Sequence, residues 1–385
     1  MPNCWEKGET EILGERAQLA LDTILHKPVK GIPSWQLFVM QHDHIEQLAG
    51  VEPGEFKKNP EEVYIKYQRN IGTCLLDQFI PMNALTMGEK GYEGATYGAT
   101  TGASEIIVDG ITIDSPEAVI EHLEKVVFPG IMASIISFDG DAFKKRILDE
   151  NRAIHEKLGP DILKTPYGGI GMPGFRYGRY GYEYYFMAYA LYSEVIEKDY
   201  SLQADLALLQ NQSMAELFLQ GLLPPLYRLD QDMADGRGTL VNIESLDRIW
   251  FPHFARCLEP LLNTDVKMIW HCDGNLMEMV PRLLEVGLKG FQGFQYEFGM
   301  DYEKICAMKT NDGEDLIIIG GVSVTRTLPM GTPEDVKKEL DWLVKYGPKT
   351  GLFLGCSSSI TPGAPWENMV TLIEGLDYYR TRGRD

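Results

Sequence analysis

Two hydrophobic patterns alternate through the second half of the chain. Segments 251–262, 276–286, 301–310 and 366–379 repeat apolar residues at the three-and-four spacing of a helix with one buried face. Between them, segments 266–270, 288–296, 316–322 and 351–355 are short apolar runs, as in strands covered on both faces. Thr332-Pro333-Glu334-Asp335 supplies an N-cap, an N1 proline and an acidic first turn, opening a helix that runs to Tyr346 and stops at Gly347-Pro348. Strand-then-helix units with short links predict a parallel sheet, and this many favour a closed barrel over an open doubly wound sheet.

The first half is less regular. Segments 17–25, 117–126 and 141–158 read as helices, the second entered through Ser115-Pro116. Segment 82–110, rich in Gly, Thr and Tyr, reads as turns with short strands, a β-rich insertion without a GxGxxG or GxxxxGK[ST] phosphate loop. With no linker, repeat or low-complexity tract, residues 1–385 read as a single domain.

Charge and composition narrow the partners. The net charge of −20 argues against nucleic acid or an anionic membrane surface, since phosphate binding needs clustered Lys and Arg. No apolar run reaches membrane-spanning length, and Glu6, Glu9, Glu11 and Glu15 replace the basic start of a secretory signal, so a cytoplasmic protein is expected. The six scattered cysteines contain no CxxC pair and read as reduced thiols or ligands.

The candidate chemistry sits at strand ends. His271-Cys272-Asp273-Gly274-Asn275 follows the 266–270 strand, on the rim where α/β folds assemble sites. Alternate residues of extended chain point the same way, so His271 and Asp273 aim at one point. Imidazole plus carboxylate suits a zinc ion or a proton-transfer pair, and equally a structural hydrogen bond. Cys356 follows the 351–355 strand onto the same rim and would complete a three-ligand set; otherwise it packs in the wall while Ser357, Ser358 and Ser359 bond ligand or backbone. Asp230 and Asp232 precede a Gly-rich loop through Asp235, a carboxylate pair placed to orient substrate or complete a metal shell, or else a solvated acidic loop; Glu297 follows another strand and is a similar candidate. The aromatic, Gly-rich stretch 171–186 carries Phe175, Arg176, Tyr177, Arg179, Tyr180 and Tyr182. It reads as a lid over an aromatic or anionic ligand, or as a helix start packed on the barrel.

Taken with Gly320-Gly321-Val322, Leu328-Pro329-Met330-Gly331-Thr332-Pro333-Glu334-Asp335-Val336 and Ser358-Ser359-Ile360-Thr361-Pro362-Gly363-Ala364-Pro365-Trp366, the His271 motif resembles the uroporphyrinogen decarboxylase superfamily. Asp232-Met233-Ala234, Gly238-Thr239-Leu240 and Phe251-Pro252 extend the likeness, which covers roughly residues 220–380. The resemblance implies a (β/α)8 TIM barrel with N-terminal elaborations. It also implies either decarboxylation of porphyrinogens or corrinoid-dependent methyl transfer. Decarboxylases of the family carry an Arg-rich substrate loop after the first strand, and segment 32–44 has no arginine.

In the thiol-methylating branch zinc is held by an H-x-C pair and a later Cys. Here Asp273 stands at the first Cys position, and the later one falls on Ser358, two residues after Cys356. The oxygen-richer site and aromatic lid resemble the methyltransferase component of O-demethylases. The implied metal ligands are His271, Asp273 and Cys356, with His271, Asp273, Asp232 and Glu297 catalytic. Phe175, Arg176, Tyr177, Tyr180, Tyr182 and Ser358 would then face a methoxylated substrate. No D-x-H-x-x-G corrinoid motif is present, so the resemblance places methylcobalamin on a separate corrinoid protein. A methylcobalamin:thiol methyltransferase, a decarboxylase and a non-catalytic barrel remain alternatives, and a homodimer is compatible with each.

Overall fold

Eight parallel segments follow one another around the molecule. In hydrogen-bonded order they are Leu163–Lys164, Leu75–Leu76, the Ser34 and Trp35 bridges, Leu352–Cys356, Ile317–Val322, Gly290–Gln292, Lys267–His271 and Leu226–Asp230. In chain order this is three, two, one, eight, seven, six, five, four: the circuit of a (β/α)8 TIM barrel with N-terminal elaborations. At the remaining seam, the third and fourth segments meet through side chains: Tyr227 Oη accepts Ile170 N–H at 3.0 Å, and Tyr167 Oη donates to Asp230 at 3.0 Å. The computed structural model describes residues 13–82 and 106–384, with the short ladder Met87–Gly88 and Gly91–Tyr92 between them.

Side-chain alternation sorts each strand between two cores. Leu75, Leu163, Leu226, Ile269, Ile317, Ile319 and Phe353 point inward and pack with Trp35 and the helix Glu15–Ile24. Leu76, Tyr227, Leu229, Met268, Trp270, Ile318, Leu352, Leu354 and Cys356 point outward into the helical layer. Ile317–Val322 is buried at every position, which explains its unbroken apolar run.

The helix Pro333–Tyr346 has the full capping box between Thr332 and Asp335, and Phe251–Leu262 matches its expected span. Three expected elements are shorter, among them helix 301–310, which spans only Tyr302–Cys306. Helix 276–286 begins only at Val280, with Pro281 in its first turn, because Asn275 Oδ1 accepts the Met277 N–H and holds a turn there. Strand 288–296 reduces to Gly290–Gln292, because Gly293 turns the chain at φ +86° into the single turn Tyr296–Phe298. The 82–110 insertion shows short antiparallel ladders at Met87–Gly88/Gly91–Tyr92 and Ile107–Val108/Ile111–Thr112; residues 93–105 lie outside the described ones. Among the described residues, no single helix is long and apolar enough to cross a membrane.

A candidate metal centre at the barrel mouth

His271 ends its strand on the inward face, two residues after Ile269, and pairs in register with Asp230 on one side and Gln292 on the other. The chain then turns at Gly274, whose φ of +90° and approach to Asp235 leave no room for a Cβ: it would lie 2.6 Å from the Asp235 carbonyl oxygen. Gly274 N–H reaches Gln295 Oε1 at 2.8 Å, and Asn275 N–H reaches the Asp235 carbonyl at 2.8 Å. Three rim loops are thereby tied together.

The fold brings Asp232, His271 and Asp273 together, with a ligand atom of each within 4.8 Å of the others. Asp232 Oδ1 accepts the Asp273 N–H at 2.8 Å. Asp273 Oδ2 accepts the Ser358 hydroxyl at 3.0 Å, while Asp273 Oδ1 and His271 Nδ1 are buried with no hydrogen-bond partner among the described residues. Burial, reinforced by Asp232, raises the Asp273 carboxyl above its ordinary range even though His271 opposes the shift. Unsatisfied buried polar atoms are rare, and one nitrogen with two carboxylates is a donor set for a divalent cation. The residues fit a metal ion.

Beneath this group lies a buried ion-paired floor. Arg228 Nε meets Asp77 Oδ2 at 2.6 Å and Arg228 Nη1 meets Asp230 Oδ2 at 2.8 Å, with Arg228 and Asp77 each only 3 % exposed. The guanidinium sits between the rings of Trp35 and Tyr167, 5.4 and 5.3 Å from their centroids. Trp35 Nε1 and Tyr167 Oη donate to Asp77 and Asp230. Asp230 Oδ1 stands 4.0 Å from His271 Nε2. Burial pushes the Asp230 carboxyl up, but His271 and Arg228 together bring it below the usual carboxylate range.

Several expected site residues stand elsewhere. Cys356 reaches the same rim, but its side chain shares the outward face of Leu352 and Leu354, so it does not join the group; its thiol is raised by burial. The expected ligand set is corrected at that position, where Asp232 stands with His271 and Asp273 instead. Cys272 is also buried, its sulfur accepting the Met233 N–H at 3.3 Å. Glu297 accepts hydrogen bonds from Ser323 and Thr325, beside Glu339 in a separate cleft, and is not a member of the group.

The expected lid divides in two. Arg176 is locked in a bidentate pair with fully buried Asp199, at 2.7 and 2.9 Å, so it is not free for a ligand. Phe175 and Tyr180 are core residues, Tyr180 hydrogen-bonding His122 at 2.8 Å. Tyr177 does reach the centre: its hydroxyl donates to the Asp232 carbonyl at 3.1 Å, and its ring stacks on Tyr182 at 4.5 Å.

Asp77, Tyr167, Arg228 and Gln292 were not anticipated. Arg228 left a legible trace, an arginine two residues before Asp230 inside an otherwise apolar strand. Gln292 is 2 % exposed, with Oε1 unpartnered on the strand beside His271.

Residues 232–379 match the uroporphyrinogen decarboxylase (URO-D) family. A search of curated protein sequences gives no match. Among solved structures, a methyltransferase from Methanosarcina mazei aligns over 96% of this chain and 99% of its own, with a TM-score of 0.55 and 16% identity. The likeness in fold spans the whole barrel, and the family match covers the part that carries Asp232, His271 and Asp273.

Proposed function

We propose that the protein is a corrinoid-dependent methyltransferase that moves a methyl group from a methoxylated aromatic molecule to the cobalt(I) of a separate corrinoid protein. The observation that carries this reading is the Asp232–His271–Asp273 group, with Tyr177, which stacks on Tyr182, hydrogen-bonded to the Asp232 carbonyl beside it. A zinc ion held by the three residues would act as a Lewis acid on the ether oxygen. The methyl–oxygen bond breaks as the carbon–cobalt bond forms, both electrons of the broken bond stay on oxygen, and a proton from water converts the phenolate to the phenol.

The chain's own residues hold that geometry. Asp232 caps the Asp273 loop, Ser358 fixes one Asp273 oxygen, and Asp230 lies beside the imidazole. Tyr177 and Tyr182 offer a flat surface for the ring. Thiol methylation is less well supported, since Cys272 and Cys356 are buried, raised in pKa and outside the group. Porphyrinogen decarboxylation is also less well supported, since the inward guanidinium of Arg228 is already paired by two carboxylates. The test mixes zinc-loaded protein with free cob(I)alamin and a panel of methoxyarenes, and follows the change to the methyl-cobalt(III) spectrum. Reaction only with methylated amines or thiols, or consumption of porphyrinogens alone, would overturn the proposal.

A further inference from the structure

His271 pairs in register with Gln292, and each has one buried atom that no hydrogen bond satisfies among the described residues: Nδ1 of the imidazole and Oε1 of the amide. Ile269 marks the inward face of the His271 strand, and the register puts Gln292 on that same face of its own strand. The amide is oriented from its other end. Gln292 Nε2 donates to the Ser357 carbonyl at 3.2 Å, and only the nitrogen of an amide can donate there, so Oε1 is the atom left over. Ser357 is buried and held in turn by Val322, whose carbonyl accepts its N–H at 3.1 Å. The next residue, Ser358, donates to Asp273 Oδ2. One loop thus braces both the Asp273 carboxylate and the Gln292 amide.

The two imidazole nitrogens face different surroundings. Nδ1 lies against the next strand end, where a Cβ on Gly293 would come within 2.5 Å of it. Nε2 faces the opposite strand, 4.0 Å from Asp230 Oδ1, and that strand leads on to Asp232. A cation shared with Asp232 is therefore placed to meet Nε2. A neutral imidazole that gives one nitrogen to a metal carries a proton on the other, and that N–H needs an acceptor when buried. Resting on the metal-centre reading above, we infer that Gln292 is a positioning residue, its Oε1 accepting the His271 Nδ1–H when zinc occupies Nε2. This bond fixes the tautomer and the plane of the ring. The acceptor is neutral, so it adds no charge to a group that already has two carboxylates. Asp230 cannot take the role, because it lies on the Nε2 side and its Oδ2 already accepts from Arg228 and Tyr167.

Zinc titration of the metal-free full chain and of two variants tests this. Gln292→Met keeps the size of the side chain and removes the acceptor, and should raise the zinc Kd roughly tenfold to a hundredfold. Gln292→Glu keeps an oxygen acceptor and gives up the donor to Ser357, so it should recover most of that loss. Nitrogen NMR of the zinc-loaded native protein, with labelled histidine and His271 assigned through His271→Ala, should place zinc on Nε2 and a slowly exchanging proton on Nδ1. An unchanged Kd in Gln292→Met, an equal loss in Gln292→Glu, or zinc on Nδ1 overturns the inference. The NMR readout needs only the native protein, so it decides the matter even where a variant does not fold. The readings fail separately. No zinc in the native chain rejects the metal centre and this role of Gln292 together. Zinc bound with the expected tautomer, but without methyl transfer to cob(I)alamin, rejects the methyltransferase alone.

Discussion

Asp232 Oδ1 accepts the backbone N–H of Asp273 at 2.8 Å, so a carboxylate beyond one strand end fixes the loop beyond the next. The same residue is therefore both a cap for the loop and a member of the candidate metal group. Asp232→Asn separates these roles, because the amide oxygen still accepts the N–H while the charge is gone. We expect a stability change within about 1 kcal/mol by urea unfolding, together with zinc affinity lowered tenfold or more. Equal loss of zinc binding and fold would reduce Asp232 to a structural cap.

His271→Ala and Cys356→Ser discriminate the ligand set. Metal analysis of protein purified without chelator should find about one zinc per native chain, little in His271→Ala, and native content in Cys356→Ser. Full zinc in His271→Ala would remove the imidazole from the set. Loss in Cys356→Ser would contradict the outward placement of that thiol.

Gly293 faces the imidazole across the neighbouring strand end. A Cβ there would lie 2.5 Å from His271 Nδ1, and the backbone sits at φ +86°, where side chains other than glycine's are strained. Gly293→Ala should cost about 1–3 kcal/mol of stability and displace the ring, weakening zinc binding. Native metal affinity in that variant would show that the imidazole tolerates the movement.

Much of the barrel's second half could be read from sequence because each strand is covered on both faces and each helix on one. Ile317–Val322 and Pro333–Tyr346 are clear cases. The first half hides its strands: Leu75–Leu76 and Leu163–Lys164 are two residues long, and Ser34 and Trp35 pair only as bridges, so periodicity has nothing to act on. At the site, His271 and Asp273 were legible from a shared strand end. The choice of Asp232 over Cys356 as third member was not, although Asp232 stood out as a carboxylate that could complete a metal shell, because one residue of register decides whether a strand-end side chain faces the barrel or its helices. The partners of Arg176 and Arg228 were equally hidden, since Asp199 and Asp77 reach them only through the fold.

The floor of the site should be strongly coupled to stability. Arg228→Met leaves Asp77 buried without its cation, and removing one member of a buried pair costs about 3–5 kcal/mol. Arg282→Met, which breaks the more exposed pair with Asp247, should cost under about 1 kcal/mol. Urea midpoints of the two variants compare them directly. Similar small shifts would mean that the floor relaxes to admit water.

Lys164 predicts an alkaline rise in stability. Its side chain is buried, donating to the Asp77 carbonyl at 2.7 Å and to Asn151 Oδ1 at 3.4 Å, with no carboxylate in ion-pair contact among the described residues. Burial lowers its pKa from 10.5 to about 8, a shift that the more distant Asp77 and Glu150 only partly oppose. Between those values the unfolded chain holds a proton that the folded chain has released, so the unfolded state binds more protons and folding gains stability as pH rises. Below about pH 8 both states are protonated and the folded one carries the full cost of a buried charge, which amounts to about 3 kcal/mol across the window. Lys164→Met removes the group, whatever its absolute effect on stability. Subtracting its urea-derived stability from the native value at several pH values should leave a difference that climbs from about pH 8 and levels off above about pH 10.5. A flat difference would mean that Lys164 stays charged in the folded protein, held by those oxygen acceptors rather than neutralised by burial.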